Sequence, residues 1–103
     1  MIDIGIAAVA NQTFFVQLDE LPYSIELHAA DDAVAATITR DDVVLITGAR
    51  ITPGMPLLPY RYQESGNFLL ITNEGDLPDF TQFGVTQFLV YLTAAELATF
   101  RGA

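Results

Sequence analysis

His28 is the one histidine in this 103-residue chain, and Glu26 lies two positions before it, on the same side of an extended segment. A carboxylate so placed could orient an imidazole to act as a general base. The base would need a nucleophile, but the chain has no cysteine, its serines are Ser24 and Ser65, and neither sits in a G-x-S-x-G elbow. The sequence therefore favours a solvated polar strand face for this pair and assigns no catalytic residue. Asn73, Glu74, Asp76 and Asp79 gather oxygen donors of the kind Ca²⁺ takes from one loop. Their spacing departs from the D-x-[DN]-x-[DN]-G loop with its distant Glu, and Pro78 stiffens the stretch, so a solvated turn is the simpler reading and no metal ligand is assigned. The doublets Asp31-Asp32 and Asp41-Asp42 read as turn formers and edge charges, because neighbours in extended chain point apart. Gly48, Gly54, Gly66, Gly75 and Gly84 stand singly in turn-like surroundings, so no phosphate-cradling loop and no cofactor site is expected.

Charge narrows the functions further. Thirteen Asp and Glu face four arginines, Arg40, Arg50, Arg61 and Arg101, with no lysine, for a formal net charge of −9. Seven Phe and four Tyr could stack on bases, but a nucleic-acid groove also needs cations along the backbone. Specific nucleic-acid binding is excluded on that ground, and so is docking on an anionic membrane. With 51% apolar and 17% charged residues the chain lies outside the disordered regime and should form one domain over residues 1–103. A domain of this size buries roughly two thirds of its unfolded surface, enough for a single core. A mean hydropathy of +0.37 suggests that some apolar surface is kept for a partner. The first ten residues carry Asp3 and no basic region, and no run reaches the roughly 18 apolar residues of a span, so a soluble chain without a secretory signal is expected.

The elements that would position these residues are mostly strands. Phe14, Val16 and Leu18 alternate with Phe15 and Gln17; after Asp19-Glu20, Tyr23, Ile25, Leu27 and Ala29 alternate with Ser24, Glu26 and His28. The two segments read as a hairpin. Val34, Ala36 and Ile38 alternate in a third strand, and the β-branched run from Val43 to Thr47 makes a fourth, ended by Gly48. Pro53, Gly54, Pro56 and Pro59 then break up Ile51, Met55, Leu57, Leu58 and Tyr60, so this apolar stretch is a loop or sheet edge that folds back on the core or meets another chain. Ser65-Gly66-Asn67 signals a turn, Phe68 to Thr72 a buried strand, Asn73 to Phe83 a second irregular segment, and Gln87 to Leu92 a last strand. Thr93 and Glu96 form a capping box for a helix from Ala94 to Phe100. The expected fold is all-β, a small antiparallel barrel or sandwich of about six or seven strands with a short C-terminal helix. Sequence physics alone leaves open a binding module for a small ligand or Ca²⁺.

The order of short motifs adds to this. Asn11-Gln12-Thr13-Phe14 is followed by Leu45-Ile46-Thr47-Gly48-Ala49-Arg50-Ile51, Leu57-Leu58-Pro59-Tyr60-Arg61-Tyr62 and Gly66-Asn67-Phe68-Leu69-Leu70. Then come Gly75-Asp76-Leu77-Pro78-Asp79-Phe80, Phe83-Gly84-Val85 and Leu89-Val90-Tyr91-Leu92. This series resembles the small baseplate plug proteins of contractile-tailed phages, the family named after a cyanophage baseplate plug. The resemblance spans about residues 11–92 and leaves residues 93–103 as a helical extension. It implies a structural virion protein with no enzymatic activity, assembled in the host cytoplasm into the tail baseplate. Its partners would be tail tube, hub and spike proteins and copies of itself around the tail axis. For such a ring component the apolar, irregular stretches supply the candidate subunit interface, namely Arg50, Met55, Leu57, Leu58, Tyr60, Arg61, Tyr62, Phe80 and Phe83. The competing expectation is that these loops close the two ends of the fold. Because a channel for DNA should not hold phosphates, some of Asp31, Asp32, Asp41, Asp42, Glu74, Asp76 and Asp79 are expected to face the tail lumen.

Overall fold

The computed structural model describes residues 1–30, 33–59, 65–73 and 76–102. Strand β2 (Asn11–Leu18) turns into β3 (Leu21–Ala30), which is followed by β4 (Ala33–Arg40) and β5 (Val43–Arg50); the four form one antiparallel sheet in the order β2-β3-β4-β5. A second antiparallel sheet has the order β1-β7-β6, built from β1 (Ile2–Asp3), β6 (Gly66–Ile71) and β7 (Phe88–Thr93). No ladder joins the sheets among the described residues, so of the two architectures expected the sandwich is the one formed. Helix α1 (Ala94–Phe100) follows β7 directly.

Alternation explains the larger sheet. Leu18, Tyr23, Ile25, Leu27, Val34, Ala36, Ile38 and Ile46 all point inward and are buried, while the residues between them face out. Both of its outer hairpins turn through two residues with positive φ, Asp19 and Glu20 at 52° and 65° and Asp41 and Asp42 at 49° and 64°. Such turns follow the twist of the strands they join, and aspartate tolerates the left-handed region better than most side chains. Asp31 and Asp32 lie outside the described residues.

Gly48 does not end its strand as expected. It sits at φ +56°, its N–H donates to Thr37 Oγ1 at 2.9 Å, and β5 continues to Arg50. The pairing steps from Ala36↔Ala49 to Ile38↔Ile46 and then to Thr39↔Val44, each time leaving an extra residue on β5. A residue free of Cβ constraints absorbs such a bulge instead of breaking the ladder.

In the smaller sheet β6 and β7 are buried on both faces over most of their length, which is why they read as continuous apolar runs. Phe68, Leu70, Leu89 and Tyr91 face the larger sheet, and Leu69, Val90 and Leu92 face the other way, against Leu97 of α1. Between the layers Tyr23, Phe68 and Tyr91 pack edge-on or tilted, with ring centroids 5.1 to 6.0 Å apart. The Tyr91 hydroxyl reaches out of this cluster and donates to Asp19 Oδ2 at 2.6 Å. Burial, reinforced by that bond, pushes the phenol well above its ordinary value, so it remains a donor. The hydroxyl passes over Gly66, where a Cβ would overlap both it and the Leu92 carbonyl. Gly66 and Asn67 therefore belong to β6 and not to the turn that Ser65-Gly66-Asn67 suggested.

Candidate interaction surface

The outer face of the smaller sheet is in part open. Helix α1 has seven residues, about two turns, and covers only part of the apolar face beneath it. What it leaves is a groove of about 810 Å³ lined by Met1, Leu69, Ile71, Leu77, Leu92 and Phe100, with Asn73, Asp76, Glu96 and Thr99 among its polar margin. Leu77, Ile71, Phe100 and Met1 are exposed, Leu77 at 60%.

Three local devices hold the walls. Glu96 fixes α1 through the anticipated capping box: Thr93 Oγ1 accepts from the Glu96 N–H at 3.3 Å, and Glu96 Oε1 accepts from the Thr93 N–H at 3.1 Å. The Met1 ammonium also pairs with Glu96, and these two donors hold its carboxyl below the usual carboxylate range. Asn67, fully buried, uses its side-chain amide like a strand partner, accepting from the Leu58 N–H and donating to the Leu58 carbonyl, both at 2.9 Å. Gln87, also buried, donates to the Leu77 carbonyl and accepts from the Asp79 N–H, each at 2.9 Å, which fixes the backbone from which Leu77 projects. In the sequence Asn67 reads as a turn residue and Gln87 as the start of a strand, and neither reads as a buried amide. The signal available was an uncharged amide at the head of each continuous apolar strand, where an unpaired polar group would be costly.

The proline segment lies along the outer edge of β6. Gly54 N–H donates to Leu70 O at 3.1 Å and Leu57 N–H to Phe68 O at 2.9 Å. Leu57 and Leu58 consequently point into the chain's own core, and Phe83 is buried there too, at the isolated bridge Phe83↔Gln87. Phe80 is partly buried against the same cluster, in the 3₁₀ turn Phe80–Gln82 that Asp79 caps through Thr81. Met55 and Arg50 are exposed, and Arg50 makes no salt bridge among the described residues. Tyr60, Arg61 and Tyr62 lie outside the described residues, as does Glu74.

The acidic residues fall into two groups. Asp41 and Asp42 close the β4–β5 hairpin, at the same end of the sheet as Asp19 and Glu20. Asp76 and Asp79 share a second hollow with Ala29 and Ala33, near the opposite end of the β3–β4 pair. No cluster of three His, Cys, Asp or Glu that could hold a metal exists among the described residues. His28 bridges Glu26 and Asn11, with Nδ1 2.9 Å from Asn11 Oδ1, on the exposed face of β3. No described helix is long and apolar enough to cross a membrane.

Residues 1–94 match the family described as Cyanophage baseplate Pam3 plug gp18. The match takes in both sheets, including the two-residue β1 that the motif series did not reach, and stops at the start of α1. No curated protein matches the chain.

Proposed function

The chain belongs to the family of cyanophage baseplate plug proteins, and from that premise we propose that it is a hub-proximal subunit of a contractile tail baseplate, joining the tail tube to the hub and spike. The family is one of structural components, and the observation that carries the finer reading is its match across both sheets of the sandwich. The groove beside α1 suits such a role: an apolar floor with a polar margin is the make-up of a protein interface core and its rim. Leu77, Ile71 and Phe100 would be the contacts of greatest weight, with Met55, Arg50 and the stretch Tyr60 to Tyr62 as further contacts. Copies of the chain would stand around the tail axis. Since Asp41-Asp42 and Asp76-Asp79 sit toward opposite ends of the larger sheet, only one of these groups would face a lumen, where it would repel the phosphates of passing DNA.

Mass spectrometry of purified virions tests the assignment first, since a plug must be present there. A reconstruction of the tail tip then tests position and partners. Absence from virions sinks the reading, and a tail tip in which the groove stays open to solvent removes the groove from it.

A further inference from the structure

Four sheet edges exist in the described fold, and three are protected. The edge of β6 is covered by the proline segment, β1 is two residues long, and β5 is bulged twice and ends in Arg50. These are the usual defences against edge-to-edge pairing. The edge of β2 has none: Asn11–Leu18 contains no Pro, no Gly and no charged residue, and its register with β3 runs unbroken from Asn11↔His28 to Leu18↔Leu21. Phe15, 81% exposed, stands at its middle.

The free polar groups can be identified. A two-residue hairpin makes Leu18 and Leu21 hydrogen-bonded partners, so the even-numbered residues of β2 turn their backbone groups toward β3. The Ala29 N–H donating to Ala10 O at 2.7 Å keeps the same parity. Thr13, Phe15 and Gln17 therefore turn N–H and C=O outward, and none of them bonds to another backbone group there among the described residues.

We propose that the β2 edge is a strand-pairing interface and that its occupant is β2 of a second copy of this chain, antiparallel about a two-fold axis through Phe15. The outward groups are symmetric about that residue, so Phe15 pairs with its own copy and Thr13 pairs with Gln17 of the second copy, satisfying both edges at once. The two most exposed aromatic rings become neighbours on the outer face. Charge permits this in a chain of net −9, because the paired strands carry none. In this register Asp19 falls opposite Asn11 of the second copy, and the two Asp19 carboxylates are about 26 Å apart, beyond the Debye length at physiological salt. The pairing uses the larger sheet, does not involve the groove beside α1 and, being two-fold, belongs to the free chain before assembly and not to a ring of copies about the tail axis.

Sedimentation equilibrium of the purified chain tests it, with a mass twice 11.2 kDa expected at micromolar concentration. Thr13→Pro removes only an outward N–H and Phe15→Lys puts like charges together at the axis; each should return the chain to monomer mass with its circular dichroism kept, and either alone suffices if the other fails to fold. Register is read by cross-linking in a chain that has no native cysteine. Hydrogen-bonded partners lie about 5.5 Å apart at Cα, within disulfide reach. Phe15→Cys should link to itself on oxidation, and Gln17→Cys should link to Thr13→Cys in a mixture but not to itself. A monomer at every concentration overturns the proposal. So does a dimer that both edge substitutions leave intact, or a β2 edge that pairs only with another protein's strand.

Discussion

The outer edges of β6 and β2 pose the same physical problem and receive opposite treatment. Both present a row of backbone donors and acceptors at the end of an antiparallel sheet. At β6 the chain covers its own edge, with Gly54 and Leu57 donating to the strand and the Asn67 amide standing in for a backbone partner. At β2 nothing does so among the described residues, and Phe15 is exposed. The comparison reverses what composition suggests. The apolar, proline-marked segment looks like a contact surface, yet most of its leucine is spent within the subunit; the plain strand NQTFFVQL looks internal, yet it is open.

Substitutions on the covered side should cost the most. Gly66→Ala forces a Cβ into the Tyr91 hydroxyl and the Leu92 carbonyl, so the tyrosine must leave Asp19 or β6 must shift away from β7. Overpacking of this kind should lower unfolding free energy by about 3 kcal/mol, measured by urea denaturation. Asn67→Ala strips partners from the buried N–H and carbonyl of Leu58 and should cost about 2 kcal/mol, with protease cleavage appearing first within the proline segment. If Asn67→Ala is neutral, the segment is held by its leucines and by the Gly54 and Leu57 N–H bonds without the amide.

The open side should respond differently. Phe15→Lys touches no buried group, so in a dilute sample its unfolding free energy should stay within about 0.5 kcal/mol of the parent. A loss as large as that of Asn67→Ala in the monomer would mean that Phe15 supports the fold.

The smallest effect concerns Glu96, which anchors the helix beside the groove. Its folded pKa is lowered by the Met1 ammonium and the Thr93 N–H, so its contribution is complete above the ordinary carboxylate value and is lost as pH falls through the lowered one. The melting temperature of Glu96→Gln should therefore lie below that of the parent near neutral pH, and the gap should close in acid. A gap that persists unchanged in acid would show that the carboxylate charge is not what fixes the helix.

Much of this fold is legible because its signals are local. Tyr23, Ile25 and Leu27 alternate with Ser24, Glu26 and His28 whatever surrounds them, since side chains alternate along any strand. Thr93 and Glu96 meet because a capping box needs three residues of spacing and nothing else. The motif series was likewise readable in order, and the family match spans it. The readings that shifted depend on distant partners. Gly48 ends a strand in isolation but forms a bulge when Thr37 receives its N–H. Leu57, Leu58 and Phe83 are apolar residues in irregular chain, and only the position of β6 and β7 puts them inside.

By itself the sequence determined an acidic all-β domain, its hairpins and its capped helix, because alternation, turn chemistry and capping act within a few residues. The tertiary structure decided which edge is covered, which leucines are core and where Leu77, Ile71 and Phe100 gather beside α1. Those outcomes require segments far apart in the chain to meet, and the burial of a backbone or apolar group is a property of the meeting and not of the residue.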